Sequence, residues 1–447
     1  MRVLHAVVAM ALLLLPSCTS HERVRPARHL VLVTIDTLRQ DRLGTYGRRE
    51  AHTPNIDALA ARGIRFDDAI AQAISTPPSH ASILCGVDPV AHGVSQLYGQ
   101  RLPDEQQTLA EILGDEGFET AAFVSALPLL RAVGLDQGFT VYDDDLPPGI
   151  DRVRRAGATN ARVRRWLAKE HAARVFLWVH YFDPHFPYAP PARFRAAFVE
   201  PGAPSPRSQR LGPDSDGLPQ AVVRAGAALY QAEVAYTDAA FGALLDALRR
   251  AGILEDAVVA LVADHGESLG ERGDYFGHWD VFDDTARVPM ILAHPDGRGA
   301  GTAIRASVGT IDLLPTVLSW LGVAAPDGLD GVDLSPLLDG RPADPGRVFY
   351  TERGRGPGPT VRSVRDDRWL LIRGPRPADA GGGSVDRLYE RATGAEVALE
   401  RAGRLSALLD RYVERARALR PQPPIPVEPE VAQGLRSLGY VVPENGP

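Results

Sequence analysis

The run His29-Leu30-Val31-Leu32-Val33-Thr34-Ile35, closed by Asp36, constrains this chain more than any other feature. An unbroken apolar, β-branched stretch suits a strand covered on both faces, as in a parallel sheet packed between helices. Similar runs follow at 120–125, 174–179, Ala257–Ala263 and 288–293. Helical periods alternate with them: Pro54–Arg62 stopped by Gly63, 105–116 stopped by Gly117, 220–251 with Gly252 beyond, and 311–321. The expected fold class is α/β, a mainly parallel central sheet sandwiched by helices. After about Pro345 the pattern changes to short strands and turns (347–351, 369–372, 381–384) and one helix near 405–417. The expected division is a catalytic domain over 29–345 and a small C-terminal α+β subdomain over 346–447.

Charge narrows the partners. The chain's 49 basic and 56 acidic residues leave a net charge of -7, and no basic run interleaved with aromatics appears, which excludes a nucleic-acid binder. Lys169 is the only lysine. Two cysteines exclude a disulfide scaffold and an all-cysteine metal site. Arg2, an apolar run from Val3 to Leu15 and then Pro16-Ser17-Cys18 read as a signal peptide over 1–18, too short to span a bilayer comfortably. Leu15-Pro16-Ser17-Cys18 also resembles a bacterial lipobox, whose cysteine becomes the lipidated first residue. Residues 19–28 read as a polar tether. The expectation is an extracytoplasmic protein, periplasmic or a cell-envelope lipoprotein, that meets the membrane only through an N-terminal lipid anchor. The alternative is a soluble periplasmic protein. Cys85, in an apolar segment, reads as a core residue. Residues 201–218, rich in Pro, Gly and Ser, read as a surface excursion near the site.

Ligand-type residues collect at strand ends. The first strand ends in Ile35-Asp36, a later one in Val179-His180 followed by Asp183-Pro184-His185, and another in Ala263-Asp264-His265. Ligands of open α/β sheets bind beyond the carboxyl ends of the strands. Any one of these residues has a structural account as a cap or turn former, whereas three such ends together describe a metal-binding rim. Ser75-Thr76-Pro77-Pro78-Ser79-His80-Ala81 reads as a helix start, with prolines in the first turn and a hydroxyl at the N-cap. Thr76 would then sit where amides and the helix dipole favour phosphate or sulfate. A divalent cation beside it would lower its hydroxyl pKa and make it a nucleophile.

In this order the motifs resemble the sulfatase / alkaline-phosphatase-like superfamily. Val33-Thr34-Ile35-Asp36-Thr37-Leu38-Arg39, Thr53-Pro54-Asn55-Ile56-Asp57 and Pro78-Ser79-His80-Ala81-Ser82-Ile83-Leu84-Cys85-Gly86 carry the resemblance. So do Asp183-Pro184-His185-Phe186-Pro187-Tyr188, Ala263-Asp264-His265-Gly266-Glu267-Ser268 and Leu435-Arg436-Ser437-Leu438-Gly439-Tyr440. The departures matter. Where sulfatases carry the cysteine or serine that becomes formylglycine, this chain has Thr76. Where they carry an arginine, it has His80, and their paired aspartates are Asp36-Thr37 here. Threonine cannot yield the aldehyde hydrate through which those enzymes expel sulfate. The site is instead similar to that of the phosphoethanolamine transferases, although their membrane helices are missing here.

The resemblance implies that Asp36, Thr76, Asp264 and His265 hold one divalent cation: Mn, Mg, Ca or Zn. A second metal would have to recruit His180, Asp183, His185 and His278. His185 and His278 would touch the transferred group or protonate the leaving oxygen, with His180 a weaker substrate-binding candidate or a core histidine. Arg39, Asp41 and Asn55 read as groups that position the site, and Asp238 as structural. The function expected is a hydrolase or transferase acting on a phosphate ester through Thr76. Its substrate would be a small anionic ester, on a glycan or a lipid headgroup. The alternatives are a sulfatase working without formylglycine and a non-catalytic anion- or glycan-binding lipoprotein.

Overall fold

The computed structural model describes residues 26–96, 99–149, 152–204, 206, 217–355, 358–375, 383–419 and 426–437. The signal peptide with Cys18, most of the tether, residues 205 and 207–216, and the end of the C-terminal motif at 438–440 lie outside the described residues.

The strands run in chain order as β1 (His29–Ile35), β2 (Ile64–Ile70), β3 (Glu119–Phe123), β4 (Val141–Asp143) and β5 (Val175–Tyr181). Then follow β6 (Ala257–Ala263), β7 (Ser268–Leu269), β8 (Tyr275–Gly277), β9 (Arg287–Ala293) and β10 (Thr302–Gly309). The C-terminal strands are β11 (Phe349–Arg355), β12 (Gly358–Arg365), β13 (Trp369–Pro375), β14 (Ser384–Glu390) and β15 (Glu396–Val397). Eight strands make the central sheet in the order β10-β2-β9-β6-β1-β5-β3-β4. All its pairings are parallel except those of β9, which runs against both β2 and β6. The sheet is therefore mainly parallel, with one reversed strand inside it.

Every residue of β1, β5 and β6 is buried, as continuous apolar runs between two helical layers should be. Register brings their ends level: Ile35 pairs with Tyr181 on one side and with Ala263 on the other. Asp36 and Asp264 thus emerge side by side, one step beyond the sheet. The long helix Gln220–Arg250 covers this half, and Asp238 on it accepts from Asn55 N (3.0 Å), Ile56 N (2.8 Å) and Asn55 Nδ2 (2.7 Å). Asp238 is a structural tie, as expected. Cys85 is buried in the core, and burial pushes its thiol up to about 12, so it is inert.

The strands β11 to β15 form an antiparallel sheet in sequential order, packed against the helix Arg404–Ala418. The last described helix, Pro429–Ser437, leaves this subdomain. Its Ala432 and Leu435 pack with Ala126, Leu127, Leu146 and Phe182 of the large sheet's rim. No helix among the described residues is long and apolar enough to cross a membrane.

Candidate active site

Asp36, Asp264 and His265 are fully buried, and each offers a ligand atom within 4.8 Å of the others. Local backbone chemistry sets their aim. Asp264 Oδ1 accepts the amides of Thr37 (3.1 Å) and His265 (2.8 Å), and Thr37 reaches that position with a left-handed φ of 54°. Tyr230 fastens the same turn by donating its hydroxyl to Thr37 O (2.7 Å) and accepting from Arg39 N (2.9 Å). His265 Nδ1 donates to Gly266 O (3.0 Å), which leaves the Nε2 lone pair as the ligand atom. Nε2 lies 3.4 Å from Asp264 Oδ2 and 3.9 Å from Asp36 Oδ1. Gly266 is required by close packing: a Cβ there would stand 2.0 Å from Asp284 O.

These residues fit a divalent cation. Asp264 Oδ2 is buried and accepts no hydrogen bond among the described residues. Burial, together with the neighbouring Asp36 carboxylate, drives the Asp264 carboxyl well above its ordinary range. Two buried carboxylates beside an imidazole lone pair are costly alone, and a hard cation offsets that cost. For a second metal, which the sequence left only possible, the described residues offer no further group. Asp183 accepts from Ala156 N (2.8 Å) and is ion-paired to Arg155.

Thr76 is the first residue of the helix Thr76–Cys85, with Ser75 at the cap, one place earlier than the sequence suggests. Its Oγ1 donates to Asp36 Oδ2 at 3.5 Å. The amide supply of this helix end is thinner than expected. Pro77 and Pro78 have no N–H, and Ser79 N is already bonded to Ser75 O (3.1 Å). Attraction of an anion here falls to the Thr76 amide and the helix dipole.

The histidines gather around this centre. The rings of His278 and His265 are 4.3 Å apart, and those of His185 and His278 are 5.8 Å apart. His278 Nδ1 donates to Ile74 O (2.7 Å), so Nε2 is the atom presented for proton transfer. His185 Nδ1 bonds Phe186 O, and its ring stacks on Phe182. His180 Nε2 lies 3.7 Å from Asp36 Oδ2, and burial lowers its pKa to about 3. Arg39, read as a positioning group, binds both Asp41 oxygens (2.9 Å each), Glu271 (2.8 Å) and Glu267 O (2.9 Å).

Sequence reasoning missed two supports. His80 lies against Thr76: Nδ1 donates to Thr76 O (2.8 Å) and Nε2 accepts from Thr34 Oγ1 (3.0 Å). Burial, then the nearby His180, lower its pKa well below the usual value, so it is neutral. The second support comes from β11. Thr351 Oγ1 donates to Ala71 O (2.8 Å), Glu352 N to Gln72 O (2.9 Å), and Ile74 N to Glu352 O (3.1 Å). Arg353 Nη1 donates to Trp279 O (2.8 Å), next to His278. The polar Thr34 inside an otherwise apolar run was the only sequence signal for either support.

A model of the Sulfatase family matches residues 28–323. The chain belongs to the sulfatase family. Within this family of hydrolases it is 28% identical over 345 residues to an ulvan-active sulfatase of Formosa agariphila, covering 69% of this chain and 65% of that protein, just under two thirds. It is 31% identical over 387 residues to a choline-sulfatase of Rhizobium meliloti, covering 72% and 73%. Among solved structures, a phosphonate monoester hydrolase of Agrobacterium radiobacter superposes with a TM-score of 0.69 at 20% identity, over 95% of this chain and 99% of that one. That likeness establishes the alkaline-phosphatase-like fold. Its site helix opens with Thr76 and carries His80 one turn further on.

Proposed function

We propose that this sulfatase-family hydrolase acts on phosphate esters with Thr76 as nucleophile. The supporting observation is the Thr76 hydroxyl, 3.5 Å from Asp36 Oδ2 at the end of the Asp36–Asp264–His265 group, where formylglycine chemistry has no precursor. A divalent cation held by Asp36, Asp264 and His265 supplies Lewis acidity, lowering the pKa of a neighbouring hydroxyl and neutralising charge on a non-bridging oxygen. The chain's own residues carry the rest. Thr76 Oγ1 gives its proton to Asp36 Oδ2 and forms a bond to phosphorus. The bond to the departing alkoxide breaks, and His278, protonated at Nε2, passes that proton to the leaving oxygen. In the second half His278 Nε2 takes a proton from water or an acceptor alcohol, that oxygen displaces Thr76 from phosphorus, and Asp36 returns the proton to Oγ1. His185, stacked on Phe182, lines the transferred group's side of His278. The substrate is a small anionic ester, on a glycan or a lipid headgroup. The setting is extracytoplasmic, as the N-terminal segment suggests.

A second reading is favoured by the sulfatase relatives: sulfate ester hydrolysis at the same threonine. One experiment separates them. Purified protein with Mn²⁺ is assayed on aryl phosphate monoesters, diesters and aryl sulfates, with intact-mass analysis during slow turnover. Phosphate turnover with a phosphoryl adduct lost in Thr76→Ala is the expected result. Sulfate turnover greater by orders of magnitude establishes the second reading. Turnover of neither with retained anion binding leaves a binding protein.

A further inference from the structure

We propose that His180 and His80 are positioning residues for the cation-binding group: His180 turns an uncharged N–H toward the outer oxygen of Asp36, and His80, its N–H bonded to Thr76 O, fixes the helix start beside Asp264. The inference rests on the cation reading of Asp36, Asp264 and His265.

Hydrogen-bond directions assign the tautomers. For His80, Trp178 Nε1 donates to Thr34 Oγ1 (2.9 Å), so the Thr34 hydroxyl is free to donate to His80 Nε2 (3.0 Å). The proton of the ring is therefore on Nδ1, where it faces Thr76 O at 2.8 Å and stands 3.6 Å from Asp264 Oδ2. For His180 the order is reversed. The Ser125 amide donates to Nδ1 (3.3 Å), which places the proton on Nε2, 3.7 Å from Asp36 Oδ2. That Nε2 is fully buried and has no hydrogen-bond partner among the described residues, so its donor points into the site and nowhere else. The two rings meet edge to face, 5.2 Å apart.

An imidazole N–H orients a carboxylate without cancelling its charge. Uncharged partners leave the carboxylate charge to the cation while fixing the groups around it, which strengthens cation binding. Removal of such outer partners typically weakens a metal site 10–100-fold.

The test measures Mn²⁺ affinity of the full chain by direct titration, with melting of the metal-free protein alongside. His80→Leu and His180→Leu are expected to weaken Mn²⁺ binding 10–100-fold. His80→Asn, whose amide reaches the Nδ1 position, and His180→Gln, whose amide reaches Nε2, are expected to stay within about threefold of the parent. Leucine variants that bind Mn²⁺ like the parent while melting lower overturn the proposal, since the histidines then only fill space. Where a leucine variant does not fold, the mismatched amides decide. His80→Gln and His180→Asn, equal in affinity to their matched counterparts, overturn it; a tenfold deficit supports it. Mn²⁺ binding that Asp36→Asn leaves unchanged overturns the cation reading itself, and the proposal falls with it.

Discussion

Phe182 stacks on His185 with ring centroids 4.5 Å apart and planes inclined by 25°. Phe182 also belongs to the buried apolar cluster that Leu435 and Ala432 of the C-terminal helix complete. His185 is therefore held by a wall that begins near the end of the chain. Phe182→Ala is expected to lower kcat by about tenfold, the scale of a small misplacement of a catalytic group. Leu435→Ala should do so more weakly. Phosphate ester kinetics check this, and unchanged kcat in Phe182→Ala would show that His185 needs no such wall.

Metal-free protein carries two buried carboxylates that repel each other. Asp264→Asn removes one of them, so the metal-free variant is expected to melt higher than the metal-free parent. The parent should gain stability on adding Mn²⁺, about 2.7 kcal/mol at a hundred times the dissociation constant, and the variant none. Thermal melts with and without chelator read both effects, and a variant that still responds to Mn²⁺ contradicts the assignment of Asp264.

Asp88 lies at the junction with the C-terminal subdomain, where burial, and then Asp330, push its carboxyl up to about 8. Its ordinary value is near 4, so between pH 4 and 8 the folded chain holds a proton that the unfolded chain has lost. Stability contributed by that group therefore falls as pH rises through the window. Asp88→Asn removes the dependence. It is expected to be more stable than the parent at pH 8.5, by at least ~1 kcal/mol, and close to it at pH 4, below the window. Urea midpoints at the two pH values measure the difference, and a gap of equal size at both would refute it.

Gly266 admits no side chain, because Asp284 O occupies the space. Gly266→Ala must displace the turn that bonds His265 Nδ1, so Mn²⁺ affinity and melting temperature should drop together. Affinity measured by titration and equal to the parent's would show that the turn adapts.

Legibility from sequence followed environment. The runs now forming β1 and β6 were readable because both faces are apolar, and Asp36 and Asp264 were readable because each ends such a run. β2 and β10 escaped notice since polar, half-exposed residues interrupt them, including Asp67, Asp68 and Arg305. The reversal of β9 was invisible because its own run is as apolar as a parallel neighbour's. The helix placed at 105–116 begins only at Leu109: Thr108 and Glu111 form a capping box that starts it late. Around the site, Thr76, His278 and His185 could be picked out by residue type, but not the tautomers of His80 and His180, which depend on Thr34 and Ser125 far away in sequence. The contact from Thr351 to Ala71 spans 280 positions, and no local pattern announces it.

The strand that braces Ala71 to Ile74 is synthesised after every ligand and histidine of the site. A nascent chain that has emerged only to residue 345 already contains Asp36, Thr76, Asp264 and His265, yet lacks the bonds from β11 to Ala71, Gln72 and Ile74. A chain cut short before residue 349 would therefore carry Asp36, Asp264 and His265 without the brace for the segment leading into Thr76.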